Sequence, residues 1–340
     1  MINSRKEEHI RICLEEKVEG GDTLLSQVRL PHKAAPEIDK QDIELGITLF
    51  GKRLEAPMII AAMTGGCRQA EKINANLAKA AQSLGIGMQL GSQRAGLEGK
   101  EAGSYRTARE NAPDALLIGN IGAVQLANGY GNKEAKAAVE MIKADALAIH
   151  FNPLQEAIQP EGETRFKGAL EKVRALDAGV PLVAKETGCG IMKETAQMLK
   201  KSGFSAVDTA GAGGTNFGLV ESYRGNRRGL AFKDWGIPTA QSILECRGTG
   251  LPIIASGGIR GGIDAAKAIA LGAEAVGIAL PLLKCANKSE KAVEEKLKET
   301  IEELRTAMFL VGAKNTDELK KTPCVLGHEL RNIALQRGLI

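Results

Sequence analysis

MIIAAMTGG (residues 58–66) begins with a short, β-favouring apolar run and ends in a Thr-Gly-Gly turn. A doubly wound sheet that binds a dinucleotide usually carries GxGxxG right after its first strand, with an acidic residue about 20 positions further on. In this chain MTGG stands at that place instead. The stretch therefore favours a (β/α)₈ barrel over an open doubly wound sheet.

Seven further runs of the same kind follow, and helical patterns alternate with them. The runs cover residues 86–90, 116–121, 146–151, 182–185, 206–209, 253–256 and 275–280. The helical patterns cover residues 71–85, 133–144, 166–179, 193–203, 238–248 and 262–272. Many of these patterns end in glycine, a common helix stop. Strand–helix alternation implies parallel strands with right-handed crossovers, so eight such units predict an α/β fold of the (β/α)₈, or TIM, barrel type.

The first 56 residues differ from the rest of the chain. A charged amphipathic stretch at 4–17 predicts a helix, and DIELGITLFGKRLEAP (42–57) predicts a hairpin around Gly51-Lys52 because apolar and polar residues alternate. We expect residues 1–56 to form an N-terminal arm and hairpin in front of a barrel at 57–340, the whole being a single structural domain. The hairpin should act as a plug or brace.

Composition excludes several classes of protein. The 340 residues are 44% apolar and 25% charged, and 45 basic residues are balanced by 41 acidic ones, which argues against a strongly basic nucleic-acid binder. No apolar run reaches the roughly 18 residues of a membrane span, and the N-terminus lacks the apolar core of a secretory signal. Six scattered cysteines without a CxxC are typical of reduced thiols. We expect a cytoplasmic protein without nucleic-acid partners.

Polar, glycine-rich turns follow the eight runs, at the end of a barrel where active sites lie. They are MTGG (63–66), GSQR (91–94), GN (119–120), HFNPLQE (150–156), KE (185–186), TAGAGGTN (209–216), SGGIRGG (256–262) and ALP (279–281). Purely structural turns would not need a lysine, an arginine, a histidine and several amides at these places. The turns therefore predict a functional site.

The loops after runs seven and eight point to a phosphate group. Loops at these positions of many barrels bind phosphate through backbone N–H groups and a helix N-terminus. SGGIRGG supplies glycines that let the backbone approach an anion, and a helix begins near residues 262–264. GAGGT (211–215) offers further donors. A tight turn without a ligand is the alternative.

Lys185 and the HFNPLQE turn carry the remaining chemistry. Lys185 ends run five, and its role stays open between a Schiff-base nucleophile, a phosphate or flavin contact and an ion-paired structural residue. His150 and Asn152 share one face of their strand, with Gln155 and Glu156 over the rim. Glu156 is a candidate ligand for Mg²⁺, which would take most of its other ligands from substrate phosphates and water.

Two later segments interrupt or end the alternation. Residues 216–236 form a long insertion that contains Arg224, Arg227 and Arg228. It is either a solvated basic loop or an active-site lid that contacts an anion. Residues 288–321 predict one long helix and then a shorter one that closes the barrel.

Together these motifs resemble the FMN-dependent, type 2 isopentenyl-diphosphate isomerase family, along nearly the whole chain. The resemblance is carried by RKEEH (5–9), AAMTGG (61–66), GSQR (91–94), GN (119–120), HFNPLQEAIQPEG (150–162), KETGCGI (185–191), AGAGGTNF (210–217), WGIPTA (235–240) and ASGGIRGG (255–262). It implies interconversion of isopentenyl and dimethylallyl diphosphate with reduced FMN and Mg²⁺, without net redox change. It also implies NAD(P)H as the reductant and a homo-oligomer, a tetramer or octamer.

The resemblance also implies roles for particular residues. FMN would be held by Ala62, Met63, Thr64, Gly65, Ser92, Asn120, Lys185, Thr215, Gly257, Gly258, Ile259, Arg260, Ala279 and Leu280. The diphosphate substrate would meet Arg5, Lys6, Ser92, Gln93, Arg94, His150, Asn152 and Gln155. Gln155, Lys185 and His150 would take part in catalysis, and Glu156 would hold Mg²⁺.

Three other functions fit a barrel with these loops, since barrels support many chemistries. An FMN oxidoreductase, such as a 2-hydroxy-acid oxidase, would change the redox state of its substrate. A Schiff-base lyase would use Lys185 as its nucleophile. A flavin-binding barrel without activity would bind FMN and convert no diphosphate. The HFNPLQEAIQPEG motif favours the isomerase.

Overall fold

The computed structural model describes the backbone of residues 2–340 and the side chains from residue 5 onward. The strands are β1 Val28–Arg29, β2 Ile47–Leu49, β3 Lys52–Leu54, β4 Met58–Ile60, β5 Gly87–Gln89, β6 Leu117–Gly122, β7 Ala146–Phe151, β8 Leu182–Glu186, β9 Ala206–Asp208, β10 Ile253–Ser256, β11 Ala275–Ile278 and β12 Val325–Leu326. The helices are α1 Ile2–Glu15, α2 Arg68–Leu84, α3 Arg94–Leu97, α4 Gly103–Asn111, α5 Ala123–Ala127, α6 Asn132–Ile142, α7 Pro153–Ile158, α8 Ala169–Arg174, α9 Lys193–Lys201, α10 Phe217–Tyr223, α11 Thr239–Arg247, α12 Gly262–Ala270, α13 Leu280–Lys288, α14 Glu290–Val311, α15 Thr316–Lys321 and α16 His328–Gln336.

Strands β4 to β11 close into an eight-stranded barrel in which every pairing is parallel. The order around the barrel follows the chain, and β11 pairs with β4 to close it. Each strand overlaps one of the eight apolar runs. This arrangement confirms the predicted (β/α)₈ barrel.

The barrel strands are buried on both faces, because helices cover the outside and side chains fill the inside. Helix α2 shows how the covering helices form: its inner face buries Ile73 and Leu77, one turn apart. Gly85 ends α2 in a left-handed conformation with φ of 62°, and its N–H bonds to carbonyls of the last turn. Glycine adopts this conformation without the cost that a Cβ would add.

The hairpin of β2 and β3 closes the barrel at the amino ends of its strands. Ile47, Leu49 and Leu54 lie in one buried cluster with the first inward-facing side chains of the barrel strands. The turn consists of Phe50 and Gly51, with φ values of 49° and 77°. The prediction centred the hairpin one residue later, on Gly51-Lys52, whereas the structure puts Gly51 at the second turn position, where type I′ turns favour glycine.

Truncation of the hairpin's buried leucine tests this plug. Leu54→Ala is expected to lower the free energy of unfolding by about 2–5 kcal/mol, because Leu54 is 1% exposed and a cavity would remain. Urea denaturation measures the change through its midpoint. Thr48→Ala, on an exposed position of the same hairpin, is the matched control and should leave the midpoint nearly unchanged. Equal midpoints for both variants would contradict the assignment.

Three segments outside the barrel strands surround or extend the barrel: the C-terminal helices, the 216–236 insertion and helix α1. The long helix predicted to begin at 288 begins at Glu290 as α14, because the Ser289 hydroxyl accepts the N–H of Ala292 and caps it, and α15 is the shorter helix predicted after it. Residues 216–236 fold into α10 and a 3₁₀ turn, Arg227–Phe232. Helix α1 packs on α10 above the carboxyl ends of the barrel strands. Within residues 2–340, no helix has the length and apolar character to cross a membrane.

Candidate active site

A deep cavity opens at the carboxyl end of the barrel, between the strand ends and α1. It encloses about 1650 Å³, including the part that is open to solvent. Of the residues predicted for the site, the cavity is lined by Arg5, Lys6, Ala62, Met63, Thr64, Ser92, Arg94, Asn120, His150, Asn152, Gln155, Glu156, Lys185, Thr215, Gly257, Gly258, Ile259, Arg260, Ala279 and Leu280.

Gln93 and Gly65 are the two residues of that prediction that do not line the cavity. The Gln93 side chain is fully buried; it accepts the N–H of Asn120 at 2.8 Å and donates to the carbonyl of Ala138 at 2.8 Å. Its amide therefore supports Asn120 from behind. Gly65 lies against the ring of Tyr105, where an added Cβ would overlap the ring.

Lys185 is held by a buried polar network inside the barrel. Its Nζ lies 2.9 Å from Oδ2 of Asp208, and both side chains are almost completely buried. Gln89 donates to the same carboxylate oxygen at 2.8 Å, and the Ser256 hydroxyl donates to the other oxygen. Sequence reasoning missed Asp208 and Gln89, although each is the polar last residue of an otherwise apolar strand.

Glu186 has a different role from its neighbour Lys185. Its carboxylate accepts the backbone N–H groups of Thr187, Gly188 and Cys189 at 2.5–2.6 Å, which shapes the turn after β8. Burial raises the pKa of Glu186 to about 7, while the three N–H donors oppose the shift. These contacts give Glu186 a structural role in the turn after β8.

His150 faces the cavity as a neutral ring. Burial lowers its pKa to about 4, and the positive charges of Lys185 and Lys6 act in the same direction. Its Nδ1 lies 2.7 Å from Oδ1 of Asn120, and the Asn120 amide is oriented because its Nδ2 donates to the carbonyl of Leu90. In the neutral ring Nδ1 therefore carries the proton, and Nε2 is the acceptor.

The HFNPLQE turn and the residues that follow it fold so that three N–H donors surround the Glu156 carboxylate. Glu156 accepts from Asn152 Nδ2 at 2.9 Å, from Gln159 Nε2 at 2.6 Å and from the N–H of Glu163 at 2.7 Å. Asn152 Oδ1 is buried and has no hydrogen-bond partner among the described residues. Burying an oxygen without a hydrogen-bond donor costs free energy, which indicates that a bound ligand contacts Asn152 Oδ1.

Helix α1 brings two basic side chains over the cavity. Lys6 Nζ donates to the carbonyl of Ser92 at 2.8 Å and to the hydroxyl of Tyr105 at 3.0 Å. Arg5 lies 3.5 Å from the carboxylate of Glu161. Because α1 packs against the barrel loops, Arg5 and Lys6 form part of the cavity wall.

The 216–236 segment is fastened to α1 by ion pairs. Arg224 contacts Glu8 at 2.9 Å, Glu161 at 3.0 Å and Glu221 at 2.6 Å, and these partners raise its pKa above the ordinary value. His9 lies 2.8 Å from the other oxygen of Glu221, which is fully buried. Arg224 is therefore occupied within the protein, which leaves the exposed Arg227 and Arg228 as the basic face of the loop.

Unpartnered backbone donors gather where the sequence predicts a phosphate. Among the described residues, the N–H groups of Gly257, Gly258, Ile259 and Ala279 have no hydrogen-bond partner. Helix α12 begins just beyond them, at Gly262. Such N–H groups at a helix N-terminus are suited to an anion. The guanidinium of Arg260 is turned to Glu19 instead, with Nε 3.0 Å from the carboxylate.

Comparison with known proteins decides the family. The FMN-dependent dehydrogenase family matches residues 122–325. An isopentenyl-diphosphate delta-isomerase of Methanothermobacter thermautotrophicus is 49% identical, covering 99% of this chain and 97% of that protein. The chain belongs to the isopentenyl-diphosphate delta-isomerase family. An isomerase of the same name from Archaeoglobus fulgidus is also 49% identical, over 94% of each chain. The protein is therefore an enzyme, an isomerase.

Solved structures similar to this isomerase include two oxidases. A lactate oxidase of Pediococcus acidilactici superposes with a TM-score of 0.70 at 18% identity, covering 96% of this chain and 93% of its own. A mandelate oxidase superposes with a TM-score of 0.64 at 20% identity, covering 95% and 98%. At such identities the likeness concerns the fold, and it agrees with the barrel described above.

Proposed function

We propose that this isomerase interconverts isopentenyl and dimethylallyl diphosphate with reduced FMN and Mg²⁺, without net redox change. The observation that carries the proposal is that one cavity joins the HFNPLQE turn, the Lys185–Asp208 pair and the unpartnered N–H groups after β10 and β11. The names of the related enzymes supply the substrate, and the FMN-dependent dehydrogenase match supplies the cofactor.

FMN fits the barrel end of the cavity. Its phosphate would take the N–H groups of Gly257, Gly258, Ile259 and Ala279, which have no other partner among the described residues. Its ring would lie among residues from the first strands and Lys185, which line the same cavity. When bound and reduced, FMN would supply an acid and base beside the allylic system, with NAD(P)H as the proposed reductant.

Lys185 would stabilise negative charge on that ring. Its Nζ is buried and fixed by Asp208, so it cannot swing away to solvent. A charge held in a low-dielectric site acts more strongly than one in water and needs no reorientation during the reaction. The ion pair also argues against a Schiff-base role, because a nucleophilic amine must be unprotonated.

The diphosphate would bind at the outer end of the cavity. Arg5, Lys6 and Arg94 supply positive charge there, and Ser92 and His150 line the same wall. Gln93 acts on this wall through Asn120 rather than by contact with substrate. Gln155 would lie near the reacting carbons, since its neutral amide forms only long hydrogen bonds of 3.3 and 3.5 Å within the protein.

Glu156 is the proposed Mg²⁺ ligand of the chain. A hard divalent cation prefers oxygen ligands, and the Glu156 carboxylate and the unpartnered Asn152 Oδ1 are of that kind. Among the described residues, no three His, Cys, Asp or Glu side chains cluster for a metal. Diphosphate oxygens and water would therefore complete the coordination, which makes the cation part of substrate binding.

Glu156→Gln tests the metal assignment. We expect Mg²⁺-dependent turnover to fall by on the order of a hundredfold, because an amide replaces the charged ligand. FMN affinity should stay at the parent's level, since Glu156 is assigned to the metal alone. Turnover against Mg²⁺ concentration and flavin fluorescence measure the two effects. Glu171→Gln, on the exposed face of α8, is the control. Loss of flavin from Glu156→Gln would contradict the assignment.

The reaction itself is tested by anaerobic incubation of the protein with FMN, a reductant, Mg²⁺ and isopentenyl diphosphate. We expect dimethylallyl diphosphate to form without stoichiometric consumption of reductant. Stoichiometric consumption would instead indicate an oxidoreductase, and reduced flavin without product would overturn the substrate assignment. Borohydride that traps substrate on Lys185 would favour the lyase.

A further inference from the structure

Tyr105 lies directly behind the wall of the cavity, in helix α4, and its side chain is completely buried. Three glycines leave room for its ring. A Cβ at Gly65 would overlap the ring, one at Gly66 would lie 2.8 Å from the hydroxyl oxygen, and one at Gly96 would lie 3.1 Å from Cδ2. The glycines of the MTGG turn therefore form a slot that holds the ring in one place.

The Tyr105 hydroxyl connects this slot to the arm. It donates to the carbonyl of Ser92 at 2.6 Å, so its lone pair accepts from Lys6 Nζ at 3.0 Å. Lys6 Nζ also donates to the Ser92 carbonyl, at 2.8 Å. An ammonium group has three N–H bonds. Two are used by Tyr105 and Ser92, which leaves one for a ligand in the cavity that Lys6 lines.

We propose that Tyr105 is a positioning residue for the substrate diphosphate, which acts by holding the Lys6 ammonium at the cavity wall. The proposal rests on the function above, in which Lys6 binds the diphosphate. Lys6 is on α1, and its long flexible side chain loses much conformational freedom when it binds a ligand. The rigid hydroxyl removes part of that cost before substrate arrives.

The effect of Tyr105 on Lys6 can be measured in the pH profile of kcat/KM, because the surroundings of Lys6 shift its pKa. Burial lowers the pKa of Lys6 to about 7, Arg5 on the same helix lowers it further, and Cys67 before α2 raises it. His150, on β7, is neutral there because its own pKa is about 4. The Tyr105 oxygen accepts from the charged amine, so its removal should lower the Lys6 pKa further. The alkaline limb of kcat/KM then moves to lower pH.

Tyr105→Phe keeps the ring and removes only the hydroxyl. We expect KM for isopentenyl diphosphate to rise on the order of tenfold, as for loss of a hydrogen bond to a charged group, with kcat close to the parent's. The alkaline limb of the kcat/KM profile should shift to lower pH. Tyr223→Phe is the control, since Tyr223 is exposed and its hydroxyl makes just one long hydrogen bond among the described residues, of 3.4 Å, to the carbonyl of Lys17. If the Phe variant does not fold, Tyr105→Met replaces it.

A double-mutant cycle with Lys6→Met shows whether Tyr105 acts through Lys6. We expect Tyr105→Phe to weaken binding in the parent and to have almost no effect in the Lys6→Met background. Equal effects in both backgrounds, or no effect in either, would overturn the proposal. Calorimetric binding of inorganic diphosphate to the FMN-loaded protein repeats the cycle without turnover. It separates failure of the Tyr105 proposal from failure of the isomerase assay.

Discussion

Lys185→Ala is expected to lower the rate of isomerisation by roughly 10²–10³-fold, the usual cost of removing one fixed electrostatic group from a buried site. The affinity for inorganic diphosphate should change little, because Lys185 lies at the ring end of the cavity and the diphosphate is assigned to the arm. Anaerobic product formation measures the first effect, and calorimetry measures the second. Equal loss of both would indicate a structural or diphosphate role for Lys185.

Stability must be separated from catalysis in this variant. Alanine leaves the Asp208 carboxylate buried without its cation, which costs about 3–5 kcal/mol. The double variant Lys185→Met/Asp208→Asn removes both charges and keeps the packing volume, so its denaturation midpoint should return toward the parent's. We expect it to stay inactive. Recovery of activity along with stability would show that Lys185 serves the fold alone.

Gly258→Ala is expected to weaken FMN binding on the order of a hundredfold. Gly258 has φ of 71°, a conformation that is costly for alanine. The added Cβ would also overlap the carbonyl oxygen of Gly213 and the Thr23 methyl group, so the loop has to move. That movement displaces the N–H groups proposed for the phosphate. Quenching of FMN fluorescence on titration with protein measures the affinity.

Gly248→Ala is the matched control for this prediction. Gly248 ends helix α11 with φ of −79°, and nothing lies within 4 Å of an added Cβ. Its alanine variant should bind FMN as tightly as the parent does. FMN affinity that is equal in the two variants would contradict the proposed phosphate site.

The predictions succeeded where a local pattern repeats. All eight barrel strands were located, and β7 and β10 were found with their observed bounds. Helices α4 and α7 were not predicted, and the six residues of α7 contain too few turns for a periodic pattern. The start of the long helix α14 was predicted within two residues, at 288, where Ser289 provides the N-cap.

The functional site, like the fold, was predicted where the sequence signal is local and missed where it is not. The glycine-rich loops and the HFNPLQE turn identified which strand ends carry function, because turns at the carboxyl end of a barrel are a local signal. The roles suggested by family resemblance for Arg5 and Lys6 could not be reached from residue chemistry. Their partners, Glu161 for Arg5 and Ser92 for Lys6, are distant in the chain.

The amino-acid sequence alone predicted the barrel, the hairpin that plugs it and the strand ends that carry the functional site. These features follow from hydrophobic periodicity, turn residues and β-propensity, which act between near neighbours in the chain. Folding was needed to pair Lys185 with Asp208, to join that carboxylate to Gln89, 119 residues away, and to set Tyr105 behind Lys6. A buried polar group takes whichever partner the closed barrel brings within about 3 Å. Which partner a buried polar group finds depends on how the whole chain packs, and no periodic pattern in the sequence reveals it.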